Sequence, residues 1–298
     1  MTELRLIETI HPTREGMKDF EALFGIDAIK EALVDELTLI LDRKRLEAWT
    51  QRHHAKGLGI LDITRSTLPL ILLSGDVGCG KTALASCVAT AVARAIDQRI
   101  VCLETPSDIR GGGHVGELSA RVTEAFTQAK GRAAAVGRAI LVIDEADDLG
   151  TGRGQMQAHH EDRAGVNVLI KQINRLATSP APIALIMITN RAEVLDPAVI
   201  RRAALRLNFE RPNETARFAV FQRMLQGTTA SEAQIHELAK LTTHNIPYTY
   251  SDLTDRIARL ALRRAWKSNQ PFGVAALKAA IREIEPSPLM GSGTSARR

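Results

Sequence analysis

An octapeptide in the first third of the chain has the composition and spacing of a phosphate-binding loop. Its residues are Gly75, Asp76, Val77, Gly78, Cys79, Gly80, Lys81 and Thr82. The glycines let successive backbone N–H groups point at phosphates, which the lysine can also reach, and the threonine hydroxyl can coordinate Mg²⁺. An apolar run at 68–73 precedes the loop and a helix-forming segment at 83–89 follows it, as this motif requires. The pattern predicts a nucleotide site, and the alternative is a glycine-rich turn that matches by accident.

Two acidic residues end another apolar segment. Residues 139–143 are apolar, and Asp144 and Glu145 follow them. Next to a phosphate loop, the first carboxylate can hold Mg²⁺ and the second can act as catalytic base or orient the attacking water. The alternative is a solvated turn between a strand and a helix, where Asp and Glu are common.

Asn190 ends a further apolar run, at 183–189, in the same manner. Its amide can orient the water that attacks or contact the γ-phosphate. Asparagine at the end of a strand is also an ordinary turn residue, so this signal is weak when taken alone.

These candidate residues can form one site only in a fold that brings the ends of several strands together. Segments that are predicted to be strands occur at 68–73, 99–104, 139–144, 183–189 and 205–209, most of them apolar runs, and helical stretches alternate with them. Such runs are typical of strands buried on both faces of a parallel sheet. We therefore predict a doubly wound α/β fold with a five-stranded parallel sheet, and ligand binding at the carboxyl ends of the strands.

The chain is predicted to have four segments. They are an irregular N-terminal lead at 1–19, a large α/β ATPase domain at 20–212, a small all-helical lid at 213–285 and a disordered tail at 286–298. At the start of the large domain, we expect one amphipathic helix within 20–48 and a connecting loop at 51–67. Asn213 is well placed to cap the first lid helix.

Composition narrows the class of protein. The net charge of +5 comes from 39 basic and 34 acidic residues, and aromatic residues make up only 4% of the chain. With no basic run that contains interleaved aromatics, nucleic-acid binding is disfavoured. Three cysteines without metal-ligand spacing favour a reducing compartment, so we expect a cytoplasmic protein. No segment approaches the roughly 18 apolar residues that a membrane span needs.

In combination, these motifs resemble the AAA+ ATPases, specifically the classical protein-remodelling clade. The phosphate loop and the acidic strand end are followed by Thr189-Asn190-Arg191 and then by Leu-Asp-Pro-Ala-Val-Ile-Arg-Arg at 195–202. The resemblance spans about residues 20–285. It implies that Asn190 is the family's sensor 1 and that Arg201 is an arginine finger that reaches the γ-phosphate of the neighbouring subunit.

The resemblance leaves other assignments open. Arg202 is a weaker finger candidate, and alanine stands at 204, where the family has its second finger. If the other motifs were absent, a solvated basic pair would explain Arg201 and Arg202. Arg256 is the nearest candidate for the nucleotide-sensing lid arginine called sensor 2, or else a surface arginine of an amphipathic helix.

A glycine-rich segment stands where the family has its substrate-gripping pore loop. The residues that match it are His114, Val115 and Gly116, with histidine in place of the usual aromatic residue. An ordinary flexible loop is the competing interpretation.

Within the clade, the chain looks most like bacterial relatives of the eukaryotic pachytene-checkpoint ATPase, which accompany cyclic-nucleotide antiphage operons. The resemblance implies a homo-hexamer that uses ATP and Mg²⁺ to pull on a HORMA-domain protein, which would switch off a nucleotidyltransferase. The eukaryotic members carry an additional N-terminal domain, for which the lead at 1–19 is too short. Two alternatives stay open: a general unfoldase with another protein client, and a nucleic-acid-handling ATPase whose affinity would fall steeply with salt.

Overall fold

A computed structural model describes residues 4–54, 56–61, 68–106, 109, 116–149 and 156–289, without the side chains of 148, 149 and 156–163. The chain divides into two compact units. The first contains residues within 1–22, 28–74 and 82–208, and the second contains residues within 23–27, 75–81 and 209–298. The phosphate loop thus belongs to the same unit as the C-terminal helices. The four segment limits expected from the sequence stay predictions.

A sheet occupies the centre of the first unit. In the described residues it has six strands, which are β1 (Ile7–His11), β2 (Leu70–Gly75), β3 (Ile100–Glu104), β4 (Ala139–Ile143), β5 (Ile183–Thr189) and β6 (Leu205–Phe209). Their order in the sheet is β1-β3-β4-β5-β2-β6. Strands β3, β4, β5 and β2 pair in parallel, which confirms the predicted parallel sheet, but the expected count of five strands is wrong because the antiparallel β1 adds a sixth. All of β4 and β5 is buried, as the apolar runs indicated.

The expectation of an irregular N-terminal lead is wrong, because β1 lies within it. This strand pairs antiparallel with β3, with Ile7 opposite Glu104 and His11 opposite Ile100. Most of its residues are exposed, and Ile7 is 60% exposed. An exposed edge strand has no alternating apolar pattern to reveal it, since backbone pairing with β3 rather than side-chain burial holds it in place.

Helices cover the sheet. They are α1 (Arg14–Ala22), α2 (Asp27–Leu41), α3 (Arg43–His53), α4 (Lys81–Ile96), α5 (Glu117–Val136), α6 (Met156–Ala177) and the short α7 (Pro197–Ile200). The single helix expected within 20–48 is wrong. Asp42 interrupts it and caps α3, because its Oδ1 accepts a hydrogen bond from the backbone N–H of Arg45. Helix α3 also extends into the segment predicted as a loop. No helix in the described residues is long and apolar enough to cross a bilayer.

The second unit contains the C-terminal helices around their own core. They are α8 (Glu214–Met224), α9 (Glu232–Leu241), a π-helical segment (Asp252–Ala258) that continues into α10 (Arg259–Lys267), and α11 (Val274–Ile281). Phe221, Leu238, Leu253 and Leu277 are fully buried between them. Asn213 caps α8 as predicted, and its side chain accepts a hydrogen bond from the backbone N–H of Ala216.

The predicted disorder is wrong for the first residues of the tail, 286–289. Ser287 donates its backbone N–H and its hydroxyl to the Asp252 carboxylate, at 3.0 and 2.7 Å. These bonds to a buried charge outweigh a composition that otherwise favours disorder. Residues 290–298 lie outside the described part of the chain.

A buried histidine anchors the edge strand β1. The Nδ1 atom of His11 lies 2.6 Å from the Thr90 hydroxyl on α4, while Nε2 is buried with no hydrogen-bond partner in the described residues. Burial lowers the pKa of His11 below its ordinary value of 6.5.

We expect this histidine to make the protein less stable in mild acid. Because the folded-state pKa lies below the unfolded value, the stability that neutral His11 confers is present above about pH 6.5 and is lost as the pH falls towards the lowered pKa. The urea midpoint of the wild type should therefore fall more between about pH 7.5 and about pH 5.5 than that of His11→Gln. Equal pH dependence in the two proteins would contradict this role.

Candidate nucleotide site

The phosphate loop has the backbone that its sequence predicts. Gly78 and Gly80 have φ values of +73° and +94°, in the region that favours glycine. The Lys81 side chain is held within the loop, because its ammonium donates to the carbonyls of Gly75 and Asp76 at 2.9 and 2.7 Å. Burial raises the pKa of the Cys79 thiol to about 11, so this residue is protonated at neutral pH. The loop therefore presents a fixed cation at the start of α4.

An arginine missed by the sequence analysis ties this loop to the C-terminal helices. The Arg211 side chain is only 6% exposed, and its Nε and Nη2 atoms lie 2.7 and 2.6 Å from Oδ2 of Asp76. Its Nη1 donates to the carbonyls of Pro247 and Ser287, both at 2.6 Å. The backbone N–H of Ser251 also donates to the Gly78 carbonyl at 3.0 Å. Residues of the C-terminal part of the second unit thus hold the loop in place.

The acidic end of the sheet lies in the first unit. The Thr82 hydroxyl donates to Oδ2 of Asp144 at 2.7 Å, which brings together the two predicted Mg²⁺ ligands. A cavity of about 160 Å³ lies there, lined by Thr82, Glu104, Thr105, Val142, Asp144 and Glu145. Hydroxyl and carboxylate oxygens are the donors that Mg²⁺ prefers, so these residues fit a magnesium nucleotide.

Glu104 and Thr105 are members of this cavity that the sequence analysis missed. Burial and the neighbouring Asp144 charge raise the pKa of Glu104. The Thr105 hydroxyl is buried and has no partner in the described residues. Glu104 carried the same signal as Asp144, an acid at the end of an apolar strand, but only the sheet order shows that β3 lies beside β4.

Glu145 has a strained backbone. Its φ is +52°, in the left-handed region that side chains other than those of Asn and Asp rarely adopt. Its backbone N–H donates to Oδ1 of Asp144 at 2.7 Å, which helps to hold this turn. Strain of this kind costs about 1–3 kcal/mol and clusters at active sites.

A hydrogen-bond network around the buried Asp147 fixes the turn that carries Asn190. The hydroxyl of Thr189 donates to Asp147 Oδ1, and the Nε atom of Arg191 donates to Asp147 Oδ2, both at 3.0 Å. Asn190 stands between these two anchored residues. Asp147 follows β4, so the network joins the ends of neighbouring strands; the sequence analysis did not identify it.

The structure distinguishes the two finger candidates. Arg201 is exposed at the end of α7, and its side chain makes no hydrogen bond or ion pair within the described residues. By contrast, Arg202 donates from Nη1 to the Ala198 carbonyl at 2.7 Å and from Nε to Asn174 at 3.4 Å. Arg201 is therefore the side chain available to a second molecule.

Arg256 has several partners of its own. Its Nη1 atom donates to Asp252 Oδ1 at 2.6 Å, to the Glu285 carbonyl at 3.1 Å and to the Ser287 hydroxyl at 3.3 Å. Burial alone would raise the pKa of Asp252, but hydrogen bonds from Ser287, Thr249 and Arg256 hold it at about 2. These contacts favour a structural role, and nucleotide sensing by Arg256 stays a prediction.

The predicted pore loop is described only at its end. His114 and Val115 lie outside the described residues. Gly116 has a φ of +79° and immediately precedes α5, which suits glycine at the entry to that helix.

The fold and this constellation define a P-loop nucleotide-binding protein. The profile of the ATPase family associated with various cellular activities (AAA) matches residues 71–211. CD-NTase-associated protein 6 of Escherichia coli (strain KTE188) is 34% identical over 284 residues, which are 94% of this chain and 95% of that protein.

Two solved structures extend the similarity. A chain of the E. coli MS115-1 HORMA:CdnC:Trip13 complex superposes with a TM-score of 0.87 and 34% identity, over 96% of this chain and 97% of that one. Rhizobiales Trip13 superposes with a TM-score of 0.73 and 32% identity, over 95% and 98%. The chain therefore belongs to the AAA ATPases, in the family of CD-NTase-associated protein 6 and bacterial Trip13.

We expect loss of Arg211 to destabilise the second unit and to weaken nucleotide binding. Arg211→Met leaves Asp76 charged and poorly solvated, which should cost about 3–5 kcal/mol in free energy of unfolding. Urea unfolding and titration with fluorescent ADP measure the two effects. In the double variant Asp76→Asn/Arg211→Met, part of the stability should return. Arg263→Met, at an exposed arginine of α10, is the control. If the double variant were as unstable to urea as Arg211→Met, the stability would not depend on the pairing of Arg211 with Asp76.

We expect Glu145 to be needed for ATP hydrolysis although its strained backbone lowers the stability of the protein to urea. Glu145→Gln and Glu145→Gly should both abolish ATP hydrolysis, because each removes the carboxylate. Only glycine relieves the positive φ, so Glu145→Gly should be about 1 kcal/mol more stable to urea than Glu145→Gln. Hydrolysis at the wild-type rate by either variant, or a less stable glycine variant, would contradict the assignment.

Proposed function

We propose that this AAA ATPase is a Mg²⁺-dependent homo-hexamer that remodels a HORMA-domain protein. The observation that carries the proposal is the pairing of Thr82 with Asp144, together with an exposed Arg201 on the same unit that has no partner among the described residues. Each chain has a prepared site for a magnesium nucleotide and a cation to offer to another chain.

The residues divide the work of ATP hydrolysis. Lys81 and the loop N–H groups bind the β- and γ-phosphates, and Thr82 and Asp144 hold the metal. Bound Mg²⁺ supplies charge neutralisation on the phosphates. Glu145 orients the attacking water and accepts its proton, while Asn190 steadies the water from the end of β5.

Arg201 makes hydrolysis depend on assembly. It does not line the cavity beside Asp144 in the described part of the chain, so it cannot be counted among the groups of its own site. Supplied by a neighbour, an arginine of this kind stabilises the transition-state charge and accelerates the reaction by about 10³–10⁵-fold. A closed ring gives every site one such neighbour.

Relatedness supports the identity of the client. The similar E. coli chain was solved in a complex named HORMA:CdnC:Trip13, and the similar curated protein is named for association with a CD-NTase. By analogy, this chain would act in the cytoplasm on a HORMA-domain protein bound to a nucleotidyltransferase. Pulling through a pore lined by His114, Val115 and Gly116 would separate the two and end antiphage signalling.

The test combines hydrolysis, assembly and client release. Wild type, Glu145→Gln, Arg201→Ala and the exposed control Arg52→Ala are compared for ATP turnover and for mass by light scattering. The client assay follows the separation of a purified HORMA–nucleotidyltransferase complex. We expect Glu145→Gln to form a stable ATP-bound hexamer, and Arg201→Ala to assemble but lose at least about 10³-fold in turnover. Arg52→Ala should behave as wild type.

Each failure is informative. Normal turnover by Arg201→Ala, or a monomer with ATP, would overturn the ring mechanism. An active ring that leaves the HORMA complex intact but unfolds another protein would point to a general unfoldase.

A further inference from the structure

A second cleft lies at the end of the sheet opposite the acidic residues. Its volume is about 800 Å³, which is within the range of small-molecule sites. Three residues of its wall lie just before strands of the sheet. Gln98 lies two residues before β3, Arg138 immediately precedes β4, and Pro182 immediately precedes β5. The start of α3 and the ends of α5 and α6 complete it. We call it the basal cleft.

The basal cleft is strongly cationic. Its basic residues are Arg43, Lys44, Lys130, Arg138 and Arg175. Asp42 is the single acid that lines it within the described residues, and its carboxylate already caps α3. Arg43 donates to the Ser179 carbonyl at 3.2 Å, so its guanidinium is fixed at the wall. The cleft therefore carries excess positive charge in a shaped space.

One of these cations, Arg138, lacks the hydrogen-bond partners that burial demands, and a second, Lys130, has only a weak one. The Nε and Nη1 atoms of Arg138 are buried and have no hydrogen-bond acceptor in the described residues. Lys130 has a lowered pKa because of burial and of the nearby charge of Arg175, and its contact with Gln172 is a long one of 3.4 Å. Buried charged donors without acceptors are costly, so a fold that keeps them commonly uses them to bind an anion.

The rest of the wall indicates that the anion has an organic part. Leu41, Ala133, Ala134, Val136 and Ala181 give the cleft apolar surface beside the cations. A bare ion would leave this surface in water. A carboxylate brings a single charge, whereas a phosphate ester brings about 1.5–2 charges and three acceptor oxygens, which suits several cations better.

We propose that the basal cleft binds a small organic phosphate through Arg138, Arg175 and Lys130, with its organic part on the apolar wall. This site is separate from the magnesium nucleotide residues and does not depend on the proposed remodelling activity.

The experiment is calorimetric titration of the full chain with phenyl phosphate, while saturating Mg·ADP occupies the phosphate loop. Inorganic phosphate and benzoate are titrated in parallel. Phenyl phosphate should bind more tightly than either, because only it offers both the charge and the apolar ring. Arg138→Met and Arg175→Gln should each weaken binding by about 10–100-fold. The control Arg52→Gln, at an exposed arginine of α3, should bind as wild type.

Folding is checked separately. Since Arg138→Met removes two buried donors that have no acceptor in the described residues, its urea midpoint without ligand should equal or exceed that of wild type. If that variant unfolds early, Arg175→Gln, at an exposed position, decides the question.

Several results would overturn the proposal. They are no saturable binding of phenyl phosphate, binding that neither arginine variant weakens, and equal affinity for benzoate. Displacement of phenyl phosphate by a short oligonucleotide or a polyglutamate peptide at lower concentration would also overturn it, in favour of a macromolecular anion.

Discussion

The ion pair between Arg211 and Asp76 joins three parts of the second unit that are distant in sequence. One guanidinium contacts the phosphate loop, the turn at Pro247 and the C-terminal segment at Ser287. Because the pair is nearly excluded from water, its stabilisation depends on satisfying every donor, and Arg211 does so with one carboxylate and three carbonyls. The geometry of the loop is therefore set by the turn at Pro247 and the segment at Ser287 as much as by its own glycines.

Two features that lower the stability of the folded protein lie at the acidic end of the sheet. Glu145 has an unfavourable φ, and Glu104 is a half-buried carboxyl whose pKa is raised by burial and by the neighbouring Asp144 charge. Neither arrangement is needed to form the sheet, whose core of fully buried strand residues would be stable with other residues at these positions. Such costs are expected where a cation is to be bound, since a metal would relieve the repulsion among the carboxylates.

The sequence predicted the parts of the fold that depend on local pattern. Strands β2 to β5 are mostly apolar runs, β6 alternates apolar and polar residues, and the predicted Mg²⁺ ligands Thr82 and Asp144 stand at motif positions. What it missed depends on contacts between distant segments. Strand β1 is exposed and defined by pairing, and the acceptors of Arg211 lie 135, 36 and 76 residues away. Glu104 could have been found by its place at a strand end, but its neighbour β4 is known only from the sheet order.

Some of the charged residues behind the net charge of +5 are divided between the two ends of the sheet in the first unit. In the first unit, Glu104, Asp144, Glu145 and Asp147 lie at the carboxyl ends of the strands, and Arg138 lies at their amino ends with Lys130 and Arg175 close by. The two groups are separated by the length of the strands and by the buried core, so they cannot neutralise each other through short-range pairs. The modest basic excess is thus the difference between two opposed local fields. An acidic end suits a metal and a basic end suits an anion, and neither requires the extended basic surface on which a nucleic acid would bind.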